Sequence, residues 1–496
     1  MCTDSCASTR GLRIFATERK ALNRDHPKTV LLLVSTCCHV PLVRPFLHVA
    51  NVLSAAGVKV VVLLTDGDCC SFFSKLKPPT AERCAEQRGS TLEILRGVGL
   101  HVINLATLLP DAMAGVTSLL QLPAEDAPSI PVAQYLSHPL WNIIRATVTR
   151  HCDWDRLPED TGLIRTKDAA AIRGFLAAAA RYQHIFQTIF DEYCPSHIMV
   201  FNGVFYEERI ASDIAASHGI QVVVNESSCF TDRWIYRHVA PSVGIRASQR
   251  LQVPSDCLAI SPEAKIQLDS YLDGVYTGQN NRIYQPGPGV ASDTLQRLSA
   301  CSQRIALFLG QVPYDTVITE DTMVTSVEDV VLEAIQAFEG QSDWHLVIRL
   351  HPGARQTATH QDRLAEILEQ HPSAGNFTLV KAYEVSTYDL MQLAEMGITI
   401  SSQAGLEVLG QHKPVVVLGD AFYRGNGVTI DRQVDESVPS AIERGRRFVP
   451  TDEWKDRVDA VLSYWIFQHL TAINGDDGSL PPESAQRILQ LFGASE

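Results

Sequence analysis

The chain carries 496 residues, 45% of them hydrophobic and 20% charged, which at roughly 100–200 residues per domain gives two large or three ordinary domains. That composition excludes a collagenous, disordered or wholly membrane-embedded protein. With 42 basic against 56 acidic residues the formal charge is −14, so no overall electrostatic force draws the chain to nucleic acid or anionic lipid.

The 12 cysteines do not read as a disulfide framework: Cys37–Cys38 and Cys69–Cys70 are adjacent, none follows Cys301 and no Cys-x-x-Cys occurs. That usage fits a reducing compartment. Residues 1–28 mix Arg, Asp, Glu and Lys without the apolar core of a signal peptide, and read as a flexible leader. No run approaches the ~18 apolar residues of a membrane span. The expectation is a cytoplasmic protein that meets the inner face of the membrane through partners.

The first element expected is a strand at Thr29–Ser35 (TVLLLVS), a nearly continuous apolar run suited to burial on both faces of a parallel sheet. A helix over Pro41–Ala56, stopped by Gly57, and a second buried strand at Val58–Thr65 complete one βαβ unit. Further strands are expected at His101–Ala106, His197–Asn202 and Gln221–Asn225, with helices over Asp168–Tyr193 and Phe205–His218. The Pro- and Asp-rich stretch 108–166 has weak periodicity and reads as an insertion. Residues 29–272 thus form a first Rossmann-like domain.

Residues 273–303 turn polar and rich in Gly and Pro, the composition of a linker. A second domain, 304–450, alternates strands at Arg304–Leu309, His345–Leu350, Phe377–Val380, Ile398–Ile400 and Pro414–Leu418 with helices over Ser326–Phe338, His360–Gln370, Ser386–Met396 and Ala404–Gln411. Ser326/Asp329 and Ser386/Asp389 are capping-box-like helix starts. Residues 451–496 hold two helical patterns separated by Asn474–Pro482. The fold class is α/β: two Rossmann-like domains facing a central cleft, with C-terminal helices. Ligands of such sheets bind at their carboxyl edges, but the outline alone covers glycosyltransferases, sugar epimerases and periplasmic binding proteins.

In Ile398–Thr429 a strand runs into Ser401-Ser402 and a helix opens near Ala404-Gly405. Two hydroxyls, the first N–H groups of a helix and a glycine that admits close approach make an anion site; the plain alternative is a serine N-cap. At Leu346–Pro352 (LVIRLHP) the proline ends a strand and delivers His351 to the same rim, where an imidazole can donate to a phosphate oxygen. Asp315, just beyond a buried strand and beside Gln311, is placed to take a proton from a hydroxyl, or is a turn aspartate. On the facing rim, Asn202, Glu207 and Arg209 are acceptor-side candidates and Glu226 is the best second carboxylate; Glu207 and Arg209 equally suit a solvated helix face. Asp66-Gly67-Asp68 and Asp153-Trp154-Asp155 mimic a metal-binding Asp-x-Asp, but such tripeptides recur by chance, and no metal is expected. Gly425-Asn426-Gly427 lets a loop with Tyr423 and Arg424 fold over a donor.

Taken together, Gln311-Val312-Pro313-Tyr314-Asp315, His351-Pro352, Ser401-Ser402-x-x-Gly405-Leu406-Glu407, Lys413-Pro414 and Leu418-Gly419-Asp420-Ala421-Phe422-Tyr423 resemble the capsule polysaccharide biosynthesis proteins related to bacterial Kdo transferases. These are GT-B glycosyltransferases that use a CMP-activated sugar, and the His-Pro and Ser-Ser elements are similar to those with which bacterial sialyltransferases hold CMP. The resemblance spans about Arg304–Thr429 and is fainter over His197–Arg237. It implies that His351, Ser401 and Ser402 hold the donor phosphate, and that Gln311, Gly405 and Tyr423 belong to the donor site. It also implies that Glu407 binds the ribose or cytosine side and that Asp315 acts as acid/base or nucleophile. Thr316 stands where the family carries serine, and the 108–166 stretch has no counterpart there.

The activity implied is metal-independent transfer of a sugar, such as Kdo from CMP-Kdo, to a hydroxyl of a glycan or glycolipid, with the nucleotide-sugar as cosubstrate and no other cofactor. The rivals are a UDP-sugar 2-epimerase and a non-catalytic nucleotide-sugar-binding partner of a polysaccharide synthase.

Overall fold

The computed structural model describes residues 28–35, 40–65, 81–105, 130–131, 138–151, 163–164, 166–239, 251–279, 287–290, 292–312, 315–319, 323–324, 326–351, 376–381, 383–473 and 480–494. Both Asp-x-Asp tripeptides, Pro352, the helix expected at His360–Gln370 and most of the leader and of 108–166 lie outside them.

The apolar run near the start forms β1 (Thr29–Val34), parallel to β2 (Lys59–Leu64), which is parallel to β3 (His101–Asn104). Within the excursion, β4 (Ile130–Pro131) and β5 (Leu163–Ile164) make a small antiparallel pair. On the other side of β1 lie β6 (His197–Phe201) and β7 (Gln221–Ser227), both parallel, and then β8 (Arg233–Val239), antiparallel to β7. The period-two alternation of β1 is buried twice over. Val30, Leu32 and Val34 pack under the helix Val40–Ala55, whereas Leu31 and Leu33 pack under the helix Thr166–Tyr193. Each such side chain contributes about 1.5–3 kcal/mol by leaving water.

The second sheet has β9 (Arg304–Leu309), β10 (Trp344–Arg349), β11 (Phe377–Val380), β12 (Met396–Thr399), β13 (Val415–Val417) and β14 (Ile430–Asp431), every pair parallel. Its order, β11-β10-β9-β12-β13-β14, is a doubly wound sheet with its switch point between β9 and β12. The first sheet has the same inner order, with its switch point between β1 and β6. Ser326 caps the helix Val327–Phe338 by accepting from the Asp329 N–H at 3.1 Å, and Ser386 caps Thr387–Leu393 through the Tyr388 N–H at 3.3 Å.

Several elements lie where the sequence pattern gave no warning. Helices form at Ala81–Gly97, Pro262–Tyr276, Asp293–Ser299 and Val438–Arg447. The polar segment around residue 290 is tied down: the Gly289 N–H donates to both carboxylate oxygens of Asp389, at 3.1 and 2.9 Å. The C-terminal segment returns to the first sheet. After the helices Asp452–Ser463 and Tyr464–His469, β15 (Thr471–Ala472) pairs antiparallel with β8, and the helix Pro482–Leu491 packs on the Val40–Ala55 helix.

The carboxyl edges of the two sheets meet. The Cys229 N–H donates to Gln403 Oε1 at 3.1 Å, the Leu251 N–H to the Phe422 carbonyl at 2.7 Å, and the Val253 N–H to Asn426 Oδ1 at 3.2 Å. Phe230, Ile235 and Leu251 share an apolar cluster with Leu406, Tyr423 and Trp465.

Candidate active site

Gly310 is where the second sheet's site begins. A Cβ there would stand 2.4 Å from the Arg349 carbonyl oxygen and 2.9 Å from the His351 nitrogen, so only glycine lets the exit of β9 lie against the exit of β10. Gln311 follows. Its Nε2 donates to Asp315 Oδ2 at 3.1 Å, and its Oε1 accepts from Ser401 Oγ at 3.3 Å. Asp315 is further oriented by the Val317 N–H, 3.1 Å from its Oδ1. One amide thus joins the ends of β9 and β12 across the switch point.

His351 sits beside this group. Its imidazole is held below the ordinary histidine range by burial and by the Arg349 charge, while the Asp315 carboxylate opposes that shift. It enters the site neutral at pH 7, as a hydrogen-bond donor. The cation of this rim is Arg349, which sequence reasoning passed over. It is only 2% exposed, its Nη1 donates to the Leu350 carbonyl, and its Nε and Nη2 have no partner among the described residues. Burial pushes it down to about 10. The charge of Glu384 opposes that shift, so the described residues already give this guanidinium an anionic neighbour. The visible signal was an Arg interrupting an otherwise apolar strand end.

The Ser-Ser turn does not offer both hydroxyls outward. Ser402 Oγ accepts the Ala404 N–H at 3.3 Å, and the Ser402 N–H donates to Thr399 Oγ1 at 3.0 Å. Tyr423 and Gly405 hold the turn from behind. The Tyr423 hydroxyl donates to the Ser402 carbonyl at 2.7 Å, and a Cβ on Gly405 would stand 2.2 Å from that hydroxyl. Tyr423 is fully buried. The expectation of a loop folding over the donor is therefore corrected: Tyr423 braces the turn, and Gly405 makes room for a tyrosine. Arg424 likewise is spent on the Gly419 and Arg432 carbonyls, at 3.2 and 2.8 Å. Glu407 is buried with its carboxyl pushed up to about 7 by desolvation, partly offset by a hydrogen bond to Tyr388.

Across the cleft, Glu226 ends β7. Burial pushes its carboxyl up to about 7, the Asp315 charge adds to that, and the Ser227 N–H, Arg237 and Asn202 oppose it. Asn202 holds a left-handed φ of 24° and accepts the Val204 N–H at 3.0 Å through Oδ1. Glu207 is fully buried, which corrects the solvated-face alternative for it. Arg209 is partly exposed, 3.9 Å from Asp213. Beside Glu207 stands Glu208, a second residue that sequence reasoning missed. Fully buried, it accepts from Ser35 Oγ and from the Gly203 N–H at 3.1 Å, tying β1 to β6 at the first sheet's switch point. Desolvation raises its carboxyl well above the usual range.

Compared with known proteins, residues 272–448 match the family described as capsule polysaccharide biosynthesis protein. The chain is 25% identical over 134 residues to the capsule polysaccharide export protein KpsS of Escherichia coli, an overlap of 27% of this chain and 34% of that protein. The chain therefore spans about a third of that relative's length. Among solved structures, it is similar to the beta Kdo 2,4 transferase of Thermosulfurimonas dismutans KpsC, at 18% identity and a TM-score of 0.39, covering 61% of this chain and 88% of that one. It is also similar to the UDP-GlcNAc 2-epimerase of Neisseria meningitidis, at 11% identity and a TM-score of 0.32, covering 95% and 100%.

Proposed function

We propose that the protein is a glycosyltransferase of capsule-type polysaccharide synthesis, taking a sugar from a CMP-linked donor to a hydroxyl of a glycan or glycolipid. The observation that carries this reading is the Ser401–Gln311–Asp315 chain at the β9/β12 switch point. It puts an oriented carboxylate beside a neutral imidazole and a buried guanidinium, opposite a second carboxylate on the facing sheet. The family match over residues 272–448 supports it.

The donor phosphate is received by His351, Ser401 and the rim around Arg349. Asp315 takes the proton of the acceptor hydroxyl as its oxygen bonds to the anomeric carbon. The bond from that carbon to the phosphate oxygen breaks, and the electron pair leaves with CMP, whose new negative charge the same donors stabilise. Glu226, balanced near neutrality, shares the acceptor-side proton. No step in this scheme calls for a metal.

Thermal unfolding with CMP, CDP, UDP and GDP tests the donor. A ligand at a hundred times its dissociation constant stabilises by about 2.7 kcal/mol, and CMP is expected to do so. A shift with UDP alone would overturn the donor assignment. Product analysis with a CMP-sugar then separates transfer to an acceptor from epimerisation and from binding without turnover.

A further inference from the structure

A run of buried polar contacts starts at the first sheet's switch point, between β1 and β6, and ends on Glu226. Beyond β6 the chain turns through Asn202 and Gly203, both left-handed, with φ of 24° and 75°. For asparagine this is a backbone kept only where the surroundings hold it. The Asn202 N–H donates to the Asn225 carbonyl at 2.9 Å, which carries the β6–β7 ladder one position further and stands Asn202 beside Glu226. Its Oδ1 accepts the Val204 N–H at 3.0 Å. The amide N–H groups are then left for the Glu226 carboxyl, to which the Asn202 side chain is hydrogen-bonded.

The turn is held by Glu208. From the first turn of the helix Tyr206–Ser217 its Oε2 reaches back to accept the Gly203 N–H at 3.1 Å, while its Oε1 accepts from Ser35 Oγ at the exit of β1. Ser35 and Glu208 have no exposed surface and Asn202 only 6%, so Glu208 does not touch a substrate. The charged groups that face it are Glu207 on its own helix and Glu226 at the end of β7. Burial first, and then those two charges, raise its carboxyl against the bonds from Ser35 and Gly203, which favours its neutral form. The charged groups that face Glu226 are Asp315 of the second sheet and Arg237 of β8.

We propose that Glu208 is a positioning residue: by holding the Asn202-Gly203 turn from the β1 side, it fixes the hydrogen bond that Asn202 gives to Glu226. The use made of Glu226 rests on the transferase reading, but the coupling between the two carboxyls does not. A glutamate that served only to cap its helix would add stability and leave Glu226 unchanged.

Carbon-13 NMR titration of the Glu226 carboxyl in the ligand-free full chain tests this on the wild type, Glu208→Met, Glu208→Gln and Ser35→Ala. The Asn202 bond favours ionised Glu226, so losing it raises the midpoint. Glu208→Met cannot accept from Gly203 and should move the midpoint upward by roughly a half to one pH unit. Ser35→Ala frees one side of Glu208 and should move it the same way by less. Glu208→Gln still accepts the Gly203 N–H and should restore the wild-type midpoint. Ser35→Ala removes a single hydroxyl, so it keeps the test decisive if Glu208→Met fails to fold. An unshifted midpoint in every folded Met or Ala variant, or a shift in Glu208→Gln as large as in Glu208→Met, would overturn the proposal. The pH profile of turnover with a CMP-sugar should move with the midpoint. A midpoint that shifts in a chain that transfers no sugar would overturn the transferase reading and uphold the coupling.

Discussion

Glu226, at the end of β7 in the first sheet, feels the charge of Asp315, which follows β9 in the second. The two carboxylates come from segments nearly ninety positions apart and from separate sheets, so their interaction exists only because the carboxyl edges of those sheets close on one another. Around Asp315 stand Gln311, Ser401 and His351; around Glu226 stand Asn202 and Arg237. Donor phosphate and acceptor hydroxyl would meet between these groups.

On the proposed reading, His351 would supply a hydrogen bond to the phosphate oxygens, not a standing charge. Its removal in His351→Ala should cost on the order of 1.5–3 kcal/mol, or about ten- to a hundredfold in turnover. Steady-state rates on a variant whose circular dichroism matches the wild type check this; an undiminished rate would remove His351 from the site.

The fit between Gly405 and Tyr423 predicts a non-additive pair. Gly405→Ala places a methyl 2.2 Å from the Tyr423 hydroxyl, and such overpacking costs roughly 1–3 kcal/mol. Tyr423→Phe removes the clashing oxygen at the expense of its bond to Ser402. In a denaturant-unfolding cycle, the double variant should be more stable than the sum of the single effects. Strict additivity would mean that the ring does not press on Gly405.

Glu407 gives a pH dependence with a definite sign. Its carboxyl, pushed up to about 7 from an ordinary 4.5, binds a proton in the folded chain that the unfolded chain has already released. Stability is therefore lost as pH rises from about 4.5 through 7, by up to about 3 kcal/mol from this group. Glu407→Gln keeps a hydrogen-bonding side chain without the titration. The melting temperature of the variant relative to wild type should rise between pH 5 and pH 8, and a difference that stays flat with pH would contradict the assignment.

Arg349 separates stability from binding. Replacing an incompletely partnered buried cation by a flexible apolar chain of similar volume is commonly neutral or stabilising by about 1–4 kcal/mol. Arg349→Met should thus match or exceed the wild type in ligand-free thermal stability, while its affinity for CMP falls by about tenfold. Lower stability with unchanged affinity would identify the arginine as a structural element.

Much of the scaffold was legible because local signals agreed. TVLLLV has room for only one reading, and Ser326 and Ser386 cap the helices they were expected to start. The paired motifs at Gln311–Asp315, His351 and Ser401 pointed to one rim because strand ends in a doubly wound sheet share an edge. What escaped was set by distant packing. β15 is a two-residue strand that exists only against β8. β8 itself holds only a short Trp-Ile-Tyr run between basic residues, too brief to announce a strand. Tyr423 looked like a lid residue because a glycine-rich loop follows it, but its ring is buried behind Gly405, a relation across eighteen positions that no local pattern carries. Glu208 and Arg349 were passed over because charge is ordinarily a sign of exposure; here each is enclosed at a sheet edge.

The most direct test of a shared site is a carbon-13 NMR titration of the Glu226 carboxyl in the wild type and in Asp315→Asn. The wild-type midpoint should lie at about 7, and removing the Asp315 charge should move it down toward the ordinary carboxylate range. The same midpoint in both proteins would show that the two carboxylates do not face one another, and the composite cleft would fall with them.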